Sequence, residues 1–188
     1  MIAVALLRHA PTTWNVEHRL QGRTDIPISD DGRGLAATWR LPPELSGFEA
    51  WASPLTRTRE TAALLGLTPR IDERLIESSW GEWEGQMLSA LKQRPGFVEA
   101  EGRGLDLAAP GGESVCDVQA RLKEWLASLT RPALAVTHNG VLRAAYALAT
   151  GWTMVDKPPV RMKPASAHLY NWDGQTLTLD RLNLPLVP

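Results

Sequence analysis

Two short segments of the chain carry the residues best suited to chemistry on an anion. Leu6-Leu7-Arg8-His9 and Val136-Thr137-His138-Asn139 each place a histidine directly after an apolar run. A neutral imidazole keeps one nitrogen lone pair, which can attack an electrophile or accept a proton. Arg8 precedes the first histidine, and Thr13 and Asn15 follow it in a loop able to wrap around an anion. Ser53-Pro54-Leu55-Thr56-Arg57 sets a second arginine in the first turn of a predicted helix, again just past an apolar segment. The backbone amides of Asn139 and Gly140 open the helix that follows His138, a natural anion position. Two guanidiniums, two imidazoles and exposed helix amides suit a phosphoryl group, whose transfer depends on positioning and charge neutralisation. Nearby arginine cations also favour the neutral imidazole, the form that can attack phosphorus. Taken singly, either histidine fits a structural or surface role better; their shared surroundings change that balance.

These segments act together only if the fold brings them to one place. Residues 2–7 form a continuous apolar run, as expected of a strand buried on both faces of a parallel sheet. After a polar loop over 8–28, Ser29 caps a predicted helix reaching about residue 40, with Leu35, Ala36 and Trp39 on one face. Further strands are predicted at 48–52, 70–72 and 133–136, and helices at 53–65, 114–129 and 140–149, with Pro54 in the first turn of its helix. Val118, Leu122, Trp125, Leu126 and Leu129 share one side of the 114–129 helix. Residues 81–112 hold 7 of the 15 glycines and read as a loop-rich insert with one short helix near 87–93. Residues 167–172 and 176–182 flank Asp173-Gly174, a hairpin signal. Strands alternating with helices predict an α/β domain with a mainly parallel sheet and a C-terminal hairpin. In such sheets ligands bind outside the carboxyl ends of the strands. Neighbouring strands lie about 4.8 Å apart, so His9 and His138 can face one ligand if theirs are adjacent.

Composition narrows the alternatives. With 188 residues the chain suits one domain and needs no disulfides, and its single cysteine, Cys116, cannot form an internal one. The lone cysteine points to a reducing compartment. A net charge of -1 argues against a nucleic-acid or anionic-membrane partner. The start lacks a basic n-region and a long h-region, and no stretch approaches the roughly 20 apolar residues of a membrane span. A cytoplasmic location is the expectation. There is no Gly-Lys pair for a P-loop, and Cys116 breaks a nucleophile elbow around Ser114. His9, His18, His138 and His168 show no zinc-like spacing.

The ordered motifs resemble the histidine phosphatase superfamily, also called phosphoglycerate mutase-like. They run Arg8-His9-Ala10-Pro11-Thr12-Thr13-Trp14-Asn15, then Gln21-Gly22-Arg23-Thr24-Asp25-Ile26-Pro27-Ile28 and Gly32, then Ser53-Pro54-Leu55-Thr56-Arg57-Thr58-Arg59-Glu60-Thr61-Ala62. Glu77-Ser78-Ser79-Trp80-Gly81-Glu82-Trp83-Glu84-Gly85, Gly111-Gly112-Glu113-Ser114 and Val136-Thr137-His138-Asn139-Gly140-Val141-Leu142-Arg143 complete the series, over about residues 2–150. The Trp-Gly-Glu-Trp-Glu-Gly stretch is similar to the broad phosphatase and α-ribazole phosphatase branch.

The resemblance implies a three-layer sandwich and one domain over 1–188, with a lid-like insert at about 81–112. It implies that His9 is the nucleophile, that Arg8, Arg57 and His138 hold the phosphoryl oxygens, and that Glu77 gives a proton to the leaving alcohol. Asn15, Gln21, Gly22 and the Asn139 amide would bind substrate. Glu82 and Glu84 are rival acids. The implied activity is a metal-independent, histidine acid-type phosphatase with a phosphohistidine intermediate, needing no cofactor or metal. Its partner would be a small phosphorylated metabolite; no motif defines an oligomeric state. Cofactor-dependent phosphoglycerate mutase-type transfer is the second reading, and a catalytically silent phospho-ligand binding module the third. Two positions depart from the family pattern, Ala10 and Asn139, each standing where glycine is usual; Ala10 would crowd His9 if that glycine needs positive φ. Of the remaining residues, His18 and His168 read as ordinary, Cys116 as a semi-buried filler and Trp39 and Trp125 as core. Trp14, Trp80 and Trp83 suit the pocket or the core equally, and Arg143 suits a structural ion pair.

Overall fold

The computed structural model describes residues 1–186 and contains one six-stranded sheet. In chain order the strands are β1 (Ile2–Arg8), β2 (Glu49–Ala52), β3 (Arg70–Ile71), β4 (Ala133–Thr137), β5 (Ser166–Trp172) and β6 (Leu177–Pro185). The helices are α1 (Thr13–Val16), α2 (Asp30–Ala36), α3 (Thr56–Leu64), α4 (Leu88–Leu91), α5 (Pro95–Glu101), α6 (Val115–Ala127) and α7 (Asn139–Thr150). The strand order is β3-β2-β4-β1-β5-β6. The first four strands run parallel, and the C-terminal hairpin adds β5 and β6 antiparallel.

β1 explains the layering. Its alternate side chains feed two different cores, as the two-residue period of a strand requires. Val4 and Leu6 join Val118, Leu122, Trp125 and Leu126 of α6 and Val141, Leu142 and Ala145 of α7. Ala5 and Leu7 join Ala36, Trp39 and Ala62 on the other face. Trp51 meets Trp125 edge-on at 6.0 Å. Helices thus cover both faces, and the three-layer sandwich follows. No helix among the described residues is long and apolar enough to cross a membrane.

The main departures from sequence expectation have local causes. α2 stops at Ala36, short of residue 40, because Gly32 and Gly34 weaken it. The chain then turns, so Trp39 is buried while Leu35 is left exposed. α3 starts at Thr56, two residues after Pro54, and its first amide is capped from a distance: Thr56 N–H donates to Asp25 at 2.8 Å. The insert holds the expected short helix, α4, and a second, α5, that the glycine-rich flanks obscure. Pro95 at its first position was the available signal. Trp83, Leu91, Phe97, Ala100 and Ala109 give this insert an apolar cluster of its own. Cys116 is exposed instead of semi-buried, because it lies off the apolar stripe of α6.

His168 sits on β5 opposite Leu6 of β1 and is 1% exposed. Its Nδ1 accepts the Asn183 N–H at 3.3 Å, and burial pushes its pKa down to about 4. Unfolding restores an ordinary value near 6.5, so the unfolded chain binds more protons between these limits and stability falls as pH drops. This residue alone should remove about 3 kcal/mol between pH 7 and pH 4. Urea denaturation at both pH values should show a shallower loss for His168→Leu than for the parent; equal losses would contradict the assignment.

Candidate active site

Parallel pairing of β1 with β4 places Leu7 beside Val136 and Arg8 beside Thr137. His9 and His138 therefore leave the sheet side by side, and the His9 N–H still donates to the Thr137 carbonyl at 3.0 Å. The two ring centroids are 5.2 Å apart. His9 Nδ1 lies 2.7 Å from the Ala10 carbonyl oxygen, which can only accept, so Nδ1 carries the proton. The lone pair is then on Nε2. Burial holds this imidazole well below its ordinary pKa, and the Arg8 and Arg57 cations push the same way. Ala10 does not crowd it: the residue is fully buried outside the left-handed backbone region, and its N–H donates to Thr61 Oγ1 at 2.9 Å.

Arg57 has no solvent exposure. Its guanidinium donates to the Thr24 carbonyl at 2.9 Å, the Gly22 carbonyl at 2.7 Å and His138 Nδ1 at 3.3 Å. Three of its five N–H bonds are thereby committed, and the others remain for a ligand. Because His138 Nδ1 accepts, its Nε2 carries the proton and donates to Ser53 Oγ at 2.7 Å. His138 is fully buried behind His9. Burial again holds it neutral, with His9, Arg57 and Arg8 adding to the effect.

Glu77 approaches from the segment after β3. Its Oε1 accepts the Ser78 N–H at 2.8 Å and the Gly140 N–H at 3.1 Å. The Gly140 amide, expected to be free for an anion, is thus occupied by the carboxyl group. A Cβ on residue 140 would lie 2.3 Å from Ser78 Oγ and 2.4 Å from Glu77 Oε1, so a larger residue there would push the carboxyl group from its place. Burial raises the Glu77 pKa above its ordinary value, while the Ser78 and Gly140 amides, then Arg57 and Arg8, resist the rise.

The rival carboxylates are elsewhere. Glu82 is exposed. Glu84 accepts from Arg23 N, Thr24 N, Thr24 Oγ1 and Trp80 N, all between 2.8 and 3.1 Å. It clamps the loop whose Gly22 and Thr24 carbonyls hold Arg57, and Gly22, at φ +55°, leaves room for it.

A cavity of about 340 Å³ gathers Arg8, His9, Asn15, Gln21, Gly22, Arg57, Glu77 and Asn139, eight of the nine residues singled out in the sequence. His138, the ninth, was expected to hold phosphoryl oxygens, but it lies off the cavity wall with both ring nitrogens taken by Arg57 and Ser53, and so braces the cavity from behind. Asn15 Oδ1 takes the Thr12 N–H and hydroxyl, leaving its amide nitrogen for the cavity. Gln21 Oε1 is buried with no protein partner. Trp80, with Lys92, Phe97 and Leu107 of the insert, forms part of the wall. Of the other tryptophans, Trp83 packs inside the insert and Trp14 against Gly85. His18 is exposed and off the wall.

Sequence reasoning missed Arg19, Lys92, Glu113 and Arg143 as wall residues. Arg143 forms no ion pair among the described residues; its guanidinium lies over the Trp152 ring at 5.2 Å. Its spacing of four from Asn139 on one helix face was the available signal. Nitrogen-15 NMR should find His9 and His138 uncharged at pH 6, protonated on Nδ1 and Nε2 respectively. A midpoint for His9 at the ordinary value of about 6.5 would contradict this electrostatic account.

Comparison with known proteins identifies the family and the fold. The family model described as histidine phosphatase superfamily (branch 1) matches residues 4–185. The chain is 32% identical over 163 residues to glucosyl-3-phosphoglycerate phosphatase of Mycobacterium tuberculosis, covering 77% of this chain and 73% of that protein. It is 28% identical over 192 residues to a 2,3-bisphosphoglycerate-dependent phosphoglycerate mutase of Methylobacterium radiotolerans, covering 92% and 91%. The crystal structure of TTHB049 from Thermus thermophilus superposes with a TM-score of 0.79 at 35% identity, over 97% of this chain and 100% of that one. With the sheet order, the paired histidines and the match over nearly the whole chain in agreement, this protein belongs to the histidine phosphatase superfamily.

Proposed function

We propose that the chain is a phosphomonoesterase that passes the phosphoryl group of a small phosphate ester to His9 and then to water. The observation that carries this reading is the His9–Ala10 hydrogen bond, which leaves Nε2 unprotonated in a cavity with two arginines. Arg8 and Arg57 neutralise the phosphoryl oxygens, assisted by Asn15, Gln21, Gly22 and the Asn139 amide, and His138 keeps Arg57 and His9 in register. His9 Nε2 attacks phosphorus as the bond to the leaving oxygen breaks, and protonated Glu77 gives that oxygen its proton. The resulting Glu77 carboxylate then takes a proton from water. The hydroxide so formed displaces phosphate from His9 and restores both side chains. Burial of Glu77 and the nearby phosphate dianion both favour its protonated starting form.

The insert at 81–112 serves as a lid over the leaving group within a single 1–188 domain. A phosphoglycerate-type ester suits the substrate role, since the mycobacterial relative acts on glucosyl-3-phosphoglycerate. The mutase reading draws on the Methylobacterium relative and differs only in the fate of the phosphohistidine, which would return to an alcohol. Given 3-phosphoglycerate and its bisphosphate, the protein should release inorganic phosphate; efficient isomerisation without release would sink the phosphatase reading.

Two variants test the assignments. His9→Ala should lower turnover of p-nitrophenyl phosphate by on the order of 10³ or more, since the covalent route is lost. A parent with no His9-dependent turnover on any phosphate ester would favour the silent binding module.

Glu77→Gln should cost roughly 10²–10⁴ in kcat for an alkyl phosphate and much less for p-nitrophenyl phosphate, whose leaving group departs without a proton. Glu77 must start protonated, so activity falls as pH rises through its raised pKa. His9 must start neutral, so its lowered pKa extends activity to acid pH. The alkaline limb should vanish in Glu77→Gln; its persistence would assign that limb to another group.

A further inference from the structure

A second cavity, of about 330 Å³, shares Arg8, Asn139 and Arg143 with the first but contains none of His9, Arg57 or Glu77. Its other cations are Arg161 and Lys163, and no carboxylate lines it. Among the described residues, Arg8, Arg143, Arg161 and Lys163 take part in no ion pair. Glu77 and Glu101 act on Arg8 and Arg143 only from beyond that range. The Nε atoms of Arg8 and Arg143 are both buried without a hydrogen-bond partner. Two buried guanidinium donors without partners, beside two further cations on one cavity, are costly unless an anion joins them.

The wall is also built to hold still. Asn183, in a left-handed conformation at φ 60°, accepts the Lys163 N–H at 2.7 Å and donates to the Arg161 carbonyl at 3.1 Å. The loop bearing both cations is therefore tied to β6 through its backbone, leaving their side chains free. Arg143 is seated on the Trp152 ring, and the Trp152 indole N–H donates to the Asp156 carbonyl at 3.1 Å. We infer that this cavity is a second oxyanion-binding site, for a phosphate or carboxylate held by Arg143, Arg161 and Lys163, with Arg8 between it and the phosphoryl cavity. Guanidinium pairs favour this chemistry because each offers a two-pronged fork. The anion is either a distal group of the substrate, reaching past Arg8, or a free phosphate; the first source rests on the proposed hydrolysis and the second does not.

Inorganic phosphate titrated into nitrogen-15-labelled protein tests the site, with the Trp152 indole N–H as local reporter. The parent should show two binding events, the one seen at Trp152 becoming at least tenfold weaker in Arg161→Ser/Lys163→Ser. Both residues are exposed and their backbone contacts persist, so the variant should fold. A single event, or a Trp152 response unchanged in the variant, overturns the proposal. Kinetics then separate the sources. If the distal group of the substrate uses the site, kcat/KM for 3-phosphoglycerate relative to p-nitrophenyl phosphate falls at least tenfold in the variant. If free phosphate uses it, that ratio holds within twofold and the Trp152 response alone is lost. Absence of all turnover would refute the proposed hydrolysis while leaving the phosphate titration to decide the site.

Discussion

The parallel pairing of β1 with β4 is the interaction on which the rest of the site depends. Its register, Arg8 beside Thr137, makes both strands end at the same level and sends His9 and His138 out together. A slip of one residue would turn every side chain of β1 to the opposite face and separate the two imidazoles. Two apolar layers hold that register, because Val4 and Leu6 are claimed by one and Ala5 and Leu7 by the other. The core that stabilises the domain and the geometry that enables chemistry are thus set by the same seven-residue strand.

Burial then acts in two directions within a few ångströms. It disfavours charge on His9 and His138, leaving imidazoles with lone pairs, and it raises the pKa of Glu77 toward the protonated form. Arg8 and Arg57 reinforce the first effect and oppose the second. The charge of Arg57 is tolerated because its guanidinium donates to two carbonyls and to His138. Glu84 supports this arrangement from outside, by fixing the loop that supplies those carbonyls. The result is a site whose polar groups are fixed by hydrogen bonds to one another, the condition under which preorganised charges act most strongly on a transferring group.

Much of this was legible in the residues. The apolar runs at β1 and β4, the stripe of α6 and the Asp173-Gly174 turn announced an α/β fold because each is a local periodicity. His9, Arg8 and Arg57 were legible because Arg8 and His9 stand at the end of one apolar strand and Arg57 in the first turn of the helix after another. Less legible were features owed to distant partners. Asp25 caps α3 from 31 residues away, and Glu77 takes the Gly140 amide across 63. Glu84 looked like a rival acid until its four donors came into view. Arg143 suggested an ion pair, yet its neighbour is the face of Trp152, a contact that no spacing reports.

By itself the sequence determined the strands and most helices, the strand-end placement of both histidines and the family-like order of the motifs, since these depend on residues close along the chain. Tertiary structure alone decided that β1 and β4 are neighbours, which nitrogen of His9 keeps its lone pair and which glutamate faces it. It also decided that four cations converge on a second cavity beside the first. Adjacency, burial and proton position arise from groups far apart in sequence, and only the closed fold brings those groups within range of one another.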